Sequence, residues 1–226
     1  MAIVRYYEAK IEEQGVYKMI LVWYIIASLI VSIVFGLQIL ILMLLKKINI
    51  NTKLSKYIFQ LLFLVAFFIL YFNAPVKVPV LNIVGIFTFK NIIIFLVTIF
   101  LTSYIVSFEK CEKHNFFEWS LLGISMEIPQ RLFMQTFFMI VLRNMEVNNA
   151  DLISILLNTI LWIQFIFVQD IICGQKINRS VIPKILSSVC FSLGMGMLYV
   201  WSGCIIVTMI GHGTERILSD KLREKN

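Results

Sequence analysis

Between Lys18 and Lys46 the chain reads MILVWYIIASLIVSIVFGLQILILMLL over residues 19–45, without one charged side chain. About 20 consecutive apolar residues cross a hydrocarbon core of roughly 30 Å as a helix, whereas soluble helices are broken by charge much sooner. The run is therefore expected to span a bilayer, with Lys18, Lys46 and Lys47 reaching out to the interfaces at its ends.

Composition agrees with that reading. Of 226 residues, 60% are hydrophobic and 15% charged, and the mean hydropathy is +0.89, against roughly a quarter charged in an ordinary soluble domain. The net charge of +7 fits basic residues kept in cytoplasmic loops, and no nucleic-acid partner is expected. A polar segment with Arg5, Glu8, Lys10 and Glu12 precedes the first apolar run, which is also too long for a signal-peptide core, so no cleavable leader is expected. Cys111, Cys173, Cys190 and Cys204 are widely spaced, which points to neither a disulfide framework nor a thiolate metal site.

Six further apolar runs follow, over residues 57–72, 92–108, 121–142, 152–168, 182–201 and 204–218. The expectation is an all-α bundle of about seven transmembrane helices forming one membrane domain over 1–226. Residues 80–89 are apolar but short, and are expected to lie at the interface or to re-enter. Ser202 and Gly203 leave room only for a tight turn. With seven spans, one set of alternate loops and ends holds about thirteen Lys and Arg and the other about six, which predicts an outside N-terminus and a cytoplasmic C-terminus.

An ionisable residue inside a spanning helix costs about 2.5 to 3.5 kcal/mol on the insertion scale, so each needs a partner or a function. Helix four carries Glu127 and Arg131, with Pro129 and Gln130 between them, and helix seven carries His212, Glu215 and Arg216. Glu127 and Arg131 are i,i+4, as are His212 and Arg216, so each pair shares a helix face. Gln164 is the strongly polar side chain in the middle of helix five. The expected orientation puts Glu127, Gln164 and His212 within a few ångströms of one level in the cytoplasmic half, at 1.5 Å per residue. Three helices could therefore converge on one polar site. The alternatives are an ion pair that only fixes helix packing, an interfacial histidine, and a glutamine that bridges helices.

Glu127-Ile-Pro-Gln-Arg131, preceded by Met126, resembles the E-E-x-x-x-R motif of the CAAX-protease and bacteriocin-processing (CPBP) family. The stretch from Ser192 through Gly203 to His212 is similar to that family's third region, where a small-residue helix and a tight turn lead to a helix bearing H-x-x-x-N. The resemblance covers about residues 116–218, the family core, with 1–115 supplying additional N-terminal transmembrane helices. It implies an intramembrane endopeptidase acting on membrane-associated or prenylated peptides, or a role in bacteriocin processing or self-immunity, in a bacterial plasma membrane. In that family the first glutamate and a second-motif histidine (F-x-x-x-H) activate water, and the third-motif histidine and asparagine stabilise the oxyanion.

The departures are specific. Met126 stands at the first glutamate, Ile160-Leu-Trp-Ile-Gln164 offers glutamine where the second-motif histidine would stand, and Arg216 occupies the asparagine position. Glu127, Arg131 and His212 carry over. Two readings follow: a divergent protease, in which Glu127 is the base and His212 polarises the carbonyl with Gln164 or Arg216, or a non-catalytic descendant serving as a membrane scaffold or immunity protein. A small transporter is the third and weaker alternative. With only His114 and His212 and no H-E-x-x-H, no metal site or other cofactor is expected. Asp151 and Asp170 sit at helix ends, and Ser202 lies about ten residues from His212, which disfavours aspartyl and serine chemistries.

Overall fold

A computed structural model describes residues 2–47, 57–108, 115–172 and 181–223. His114, Cys111, Cys173 and several of the basic loop residues behind the expected orientation (Lys53, Lys56, Lys110, Lys113, Lys176 and Arg179) lie outside the described residues. Among the described residues the regular secondary structure is all helical, with one isolated β-bridge between Leu81 and Cys204. The elements are α1 (Ala2–Lys47), α2 (Ile58–Asn73), a short 3₁₀ turn (Ile83–Phe87), α3 (Phe89–Val106), α4 (Phe116–Glu127), a π segment (Ile128–Gln135), α5 (Thr136–Asn144), α6 (Ala150–Ile172), α7 (Val181–Ser202) and α8 (Ile205–Arg223). Because α4, the π segment and α5 run on without a break, these make seven helical rods. Among the described residues three helices, at Phe89–Val106, Ala150–Val168 and Ile182–Ser202, are long and apolar enough to cross a membrane, and Lys18–Val34 and Gln60–Asn73 are shorter apolar stretches.

Several rods begin earlier or end later than hydropathy alone suggests, because polar caps set their ends. α3 starts at Phe89 since the Thr88 side chain accepts the Asn91 backbone N–H, and α4 starts at Phe116 since Asn115 accepts from Phe117 and Glu118. α8 runs on to Arg223, with Lys221 and Arg223 in its last turn, where cations suit the negative helix end. Pro129 has a larger effect. It has no N–H to give the Ser125 carbonyl and its ring crowds that carbonyl, which instead accepts from Ile128. The backbone then adopts π pairing, the Thr136 N–H reaching back to the Arg131 carbonyl five residues earlier. Where the sequence suggests a kink, the structure has a widened coil.

The distribution of polarity is that of a bundle in lipid. On α3 the face of Ile92, Leu96, Phe100 and Tyr104 is exposed, while Asn91, Thr98 and Thr102 on the opposite face are buried. Two of these buried polar groups donate within the bundle: the Thr102 hydroxyl to the Thr98 carbonyl at 2.7 Å, and the Asn91 amide to the Gly85 carbonyl at 2.7 Å. In lipid, close packing and internal hydrogen bonds hold helices together, because the outer side chains are as apolar as their surroundings.

Two packed regions flank the polar interior. Phe63, Phe133, Phe137 and Phe138 join α2 to the π segment and α5, with Phe63 and Phe133 centred 5.2 Å apart and Tyr24 of α1 stacked on Phe138. Ile99, Phe191, Met195, Leu198 and Val207 join α3, α7 and α8. α8 is turned back against α7 at Gly203, whose φ of +64° suits glycine. Residues 80–82 grip this turn: the Asn82 N–H donates to the Gly203 carbonyl and the Ile205 N–H to the Val80 carbonyl, both at 2.9 Å. The apolar segment expected near the interface is thus a clasp over the α7–α8 turn, with Val84 and Phe87 exposed.

Small residues let the rods approach closely. A Cβ on Gly194 of α7 would run into the Thr98 side chain of α3, and one on Gly123 of α4 would sit 2.9 Å from Arg216 Cγ and 3.1 Å from His212 Cδ2 of α8. Gly194→Leu should therefore lower stability by about 1–3 kcal/mol through overpacking, measured as an earlier unfolding midpoint in detergent. An unchanged midpoint would show that α3 and α7 are not packed as described.

Candidate functional site

The close approach of α4 and α8 brings together residues 85 apart in sequence. His212 Nδ1 lies 2.7 Å from Glu127 Oε1, and Arg131 Nη1 is 3.4 Å from the same oxygen. Glu127 and Arg131 are 0% exposed and His212 is 5% exposed. A carboxylate in an ion pair only accepts hydrogen bonds, so Nδ1 of His212 is the donor, and in the neutral ring Nε2 is then an acceptor. The Phe191 ring packs against it in a tilted arrangement, the two centroids 4.5 Å apart.

Arg131 reaches further into the bundle. Its Nη2 lies 3.4 Å from the carbonyls of Phe191 and Ser192 on α7, and its guanidinium carbon sits 5.5 Å from the Phe191 ring centre. The π winding explains how so many polar groups face α7 at once. In a coil paired five residues back, Gln130 and Gln135 fall in one row and Arg131 and Thr136 in the next. Gln130 Nε2 donates to Ser192 Oγ at 2.7 Å, Gln135 Nε2 to the Gly196 carbonyl at 2.9 Å, and the Thr136 and Tyr199 hydroxyls share a hydrogen bond at 2.8 Å. The α7 partners, 192, 196 and 199, are spaced four and three apart as an α-helical face requires. Gln135, Thr136 and Tyr199 do not stand out as site residues in the sequence. The available signal is the five-residue spacing of Gln130 and Gln135 in an otherwise apolar run.

His212 lines a cavity of about 310 Å³, together with Trp119, Met126, Gln130, Ser192 and Arg216, among others. Arg216 is on its wall, its guanidinium carbon 4.3 Å over the Trp119 ring and its Nε 3.7 Å from Glu215. Glu127 does not line this cavity. Its carboxylate is fully buried.

Gln164 does not join the cluster. Its side chain is on the outer part of α6, where its Oε1 accepts from the Tyr24 hydroxyl of α1 at 2.8 Å. Depth alone suggested convergence, but the azimuth of Gln164 on α6 turns it toward α1, and its part in the fold is to join these two helices. Met126 lines the cavity, and its sulfur accepts a long contact from Gln60 Nε2 at 3.8 Å. Ser202, the last residue of α7, is committed to the Leu198 carbonyl at 2.6 Å. Among the described residues no group of three or more His, Cys, Asp or Glu is placed to hold a metal ion.

Compared with protein-family models, with curated proteins and with solved structures, the chain matches none.

Removing one partner from a buried ion pair leaves an uncompensated charge, at a cost of about 3–5 kcal/mol, whereas replacing both by apolar groups is often close to neutral. Arg131→Leu should be strongly destabilising, and Glu127→Leu combined with Arg131→Leu should recover most of the loss. Unfolding of the four members of this cycle in detergent measures the coupling. Additive effects would show that the pair is not coupled.

Proposed function

We propose that the chain is an intramembrane hydrolase of peptide bonds, a divergent relative of the CPBP endopeptidases in which His212 is the general base and Glu127 its positioning residue. The observation that carries this reading is the 2.7 Å hydrogen bond from His212 Nδ1 to a fully buried carboxylate, on a residue that also lines a cavity. A carboxylate that holds Nδ1–H fixes the tautomer in which Nε2 can accept a proton. In the proposed step Nε2 takes a proton from a water in the cavity and the water oxygen attacks the substrate carbonyl carbon. The resulting oxyanion collapses, the C–N bond breaks, and His212 returns its proton to the leaving amine.

These roles reverse those expected from the motifs alone. Glu127 is fully buried and already shared between two partners, so it orients rather than abstracts. Arg216, on the cavity wall, and the buried Gln130 are the donors proposed to face the developing oxyanion. Arg131 neutralises Glu127 and ties the site to α7. The same reading takes the seven rods as spans of a bacterial plasma membrane, with the N-terminus outside and the C-terminus cytoplasmic, and a membrane-associated or prenylated peptide as substrate.

A second reading, a non-catalytic scaffold or bacteriocin-immunity protein, is favoured by one observation. Glu127 Oε1 takes both Arg131 and His212, and this arrangement would hold three helices together without any chemistry.

Cleavage of a membrane-inserted fluorogenic peptide by the full chain in liposomes distinguishes the two. A general base contributes about 10²–10⁴ in rate, so His212→Ala should reduce turnover at least about a hundredfold, with Glu127→Gln also strongly impaired while both variants still insert. Wild-type turnover in the His212 variant would remove the catalytic assignment. A folded chain that cleaves no peptide in any variant supports the scaffold.

A further inference from the structure

The clasp over the α7–α8 turn has two unlike sides. Toward the protein its backbone is served from within. The Asn82 N–H donates to the Gly203 carbonyl, the Val80 carbonyl accepts from Ile205, and the Gly85 carbonyl accepts the Asn91 side-chain amide at 2.7 Å. A Cβ on Gly85 would run into the Ser202 carbonyl oxygen, so glycine lets the segment lie directly on the turn. The nearby end of α2 is treated in the same way. Its last carbonyls have no helical partner, and Lys77 Nζ donates to those of Tyr71 at 2.6 Å and Phe72 at 3.3 Å.

Away from the protein the segment shows hydrocarbon. Leu81, Ile83, Val84, Phe87 and Phe89 are all exposed, Val84 by 85% and Phe89 by 80%. Residues 74–90 contain no Asp or Glu, and their charges are Lys77 and Lys90. A loop in water leaves backbone groups to the solvent and shows polar side chains; this one does the reverse. Irregular backbone is tolerated at membrane depth where protein satisfies its polar groups. The exposed side chains also continue surfaces already turned to lipid, Phe72 at the end of α2 and Ile92, Leu96 and Phe100 on α3. With 16 and 18 residues, α2 and α3 rise about 24 and 27 Å, both short of a hydrocarbon core of roughly 30 Å. The clasp carries the apolar band past their ends, where that depth is missing.

We infer that residues 81–89 are a leaflet anchor, with Val84, Phe87 and Phe89 inserted among lipid acyl chains. Lys90, whose Nζ lies 3.1 Å over the Trp201 ring, sits with that indole at headgroup level, where such pairs of amine and aromatic ring are at home. The partner of this surface is lipid, rather than water or a second copy of the chain. Because the clasp grips the α7–α8 turn, the anchor fixes the depth at which α8, the helix bearing His212, begins. The inference does not depend on hydrolysis.

Two footprints of the full chain in phosphatidylcholine liposomes test it, each mapped by mass spectrometry. One is photolabelling by a phosphatidylcholine with a diazirine on its acyl chain, and the other is oxidation by hydroxyl radicals generated on both sides of the bilayer. Lipid adducts should appear over residues 81–89 as they do at Leu96 and Phe100, and Phe87 and Phe89 should escape oxidation. Val84→Glu with Phe87→Glu should lose the adducts over 81–89 and keep those at Leu96 and Phe100, which also shows that the variant is folded and inserted. Oxidation of Phe87 without lipid adducts in the unmutated chain would overturn the inference and turn the segment to water. Protection from both labels would overturn it as well, assigning the surface to protein such as a second copy. Adducts that persist unchanged in the double Glu variant would equally overturn it, since insertion would not then depend on these side chains.

Discussion

A carboxylate cannot be left alone in the interior of a membrane bundle, and the arrangement of this chain's second half follows from where Glu127 finds its partners. One comes from its own helix and one from α8. Arg131 on the same face supplies the countercharge, and must itself be satisfied, which draws in the carbonyls of Phe191 and Ser192. His212 supplies the second contact, and can reach only because Gly123 gives α4 no side chain where α8 crosses. One buried charge thus sets the relative placement of α4, α7 and α8, and the small residues at the crossings are there because the partners must come this close.

Much of this was legible in the sequence, for identifiable reasons. Uncharged runs set by bilayer thickness mark apolar helices without any tertiary information, and the rarity of charge within them made Glu127, Arg131 and His212 conspicuous. Spacing in sequence gave the Glu127–Arg131 face, and depth counted from the helix ends suggested that His212 lies level with Glu127. Depth is one coordinate of two, however. Gln164 lay at a suitable level but at the wrong angle around α6, and periodicity in a mostly apolar helix does not fix that angle.

The π segment marks a different limit. Pro129 announces that α-helical pairing must fail nearby, but kinking, fraying and widening all answer that failure. Widening prevailed where it lets Gln130, Arg131, Gln135 and Thr136 all address α7 from adjacent rows. Helix ends show the same dependence on single polar side chains: Thr88 and Asn115 moved the starts of α3 and α4 outward from their apolar cores. In each case a local hydrogen bond overrode a boundary that hydropathy alone would draw.

The intrahelical position of Arg131 also bears on how the chain is made. His212 is 85 residues beyond Glu127, and at roughly 5–20 residues per second the ribosome needs about 4–17 seconds to reach it. During that interval the insertion machinery would face an acidic helix with no help from α8. A countercharge one turn away is present from the moment that helix emerges, so the segment could partition into lipid as a neutral unit and wait for its histidine.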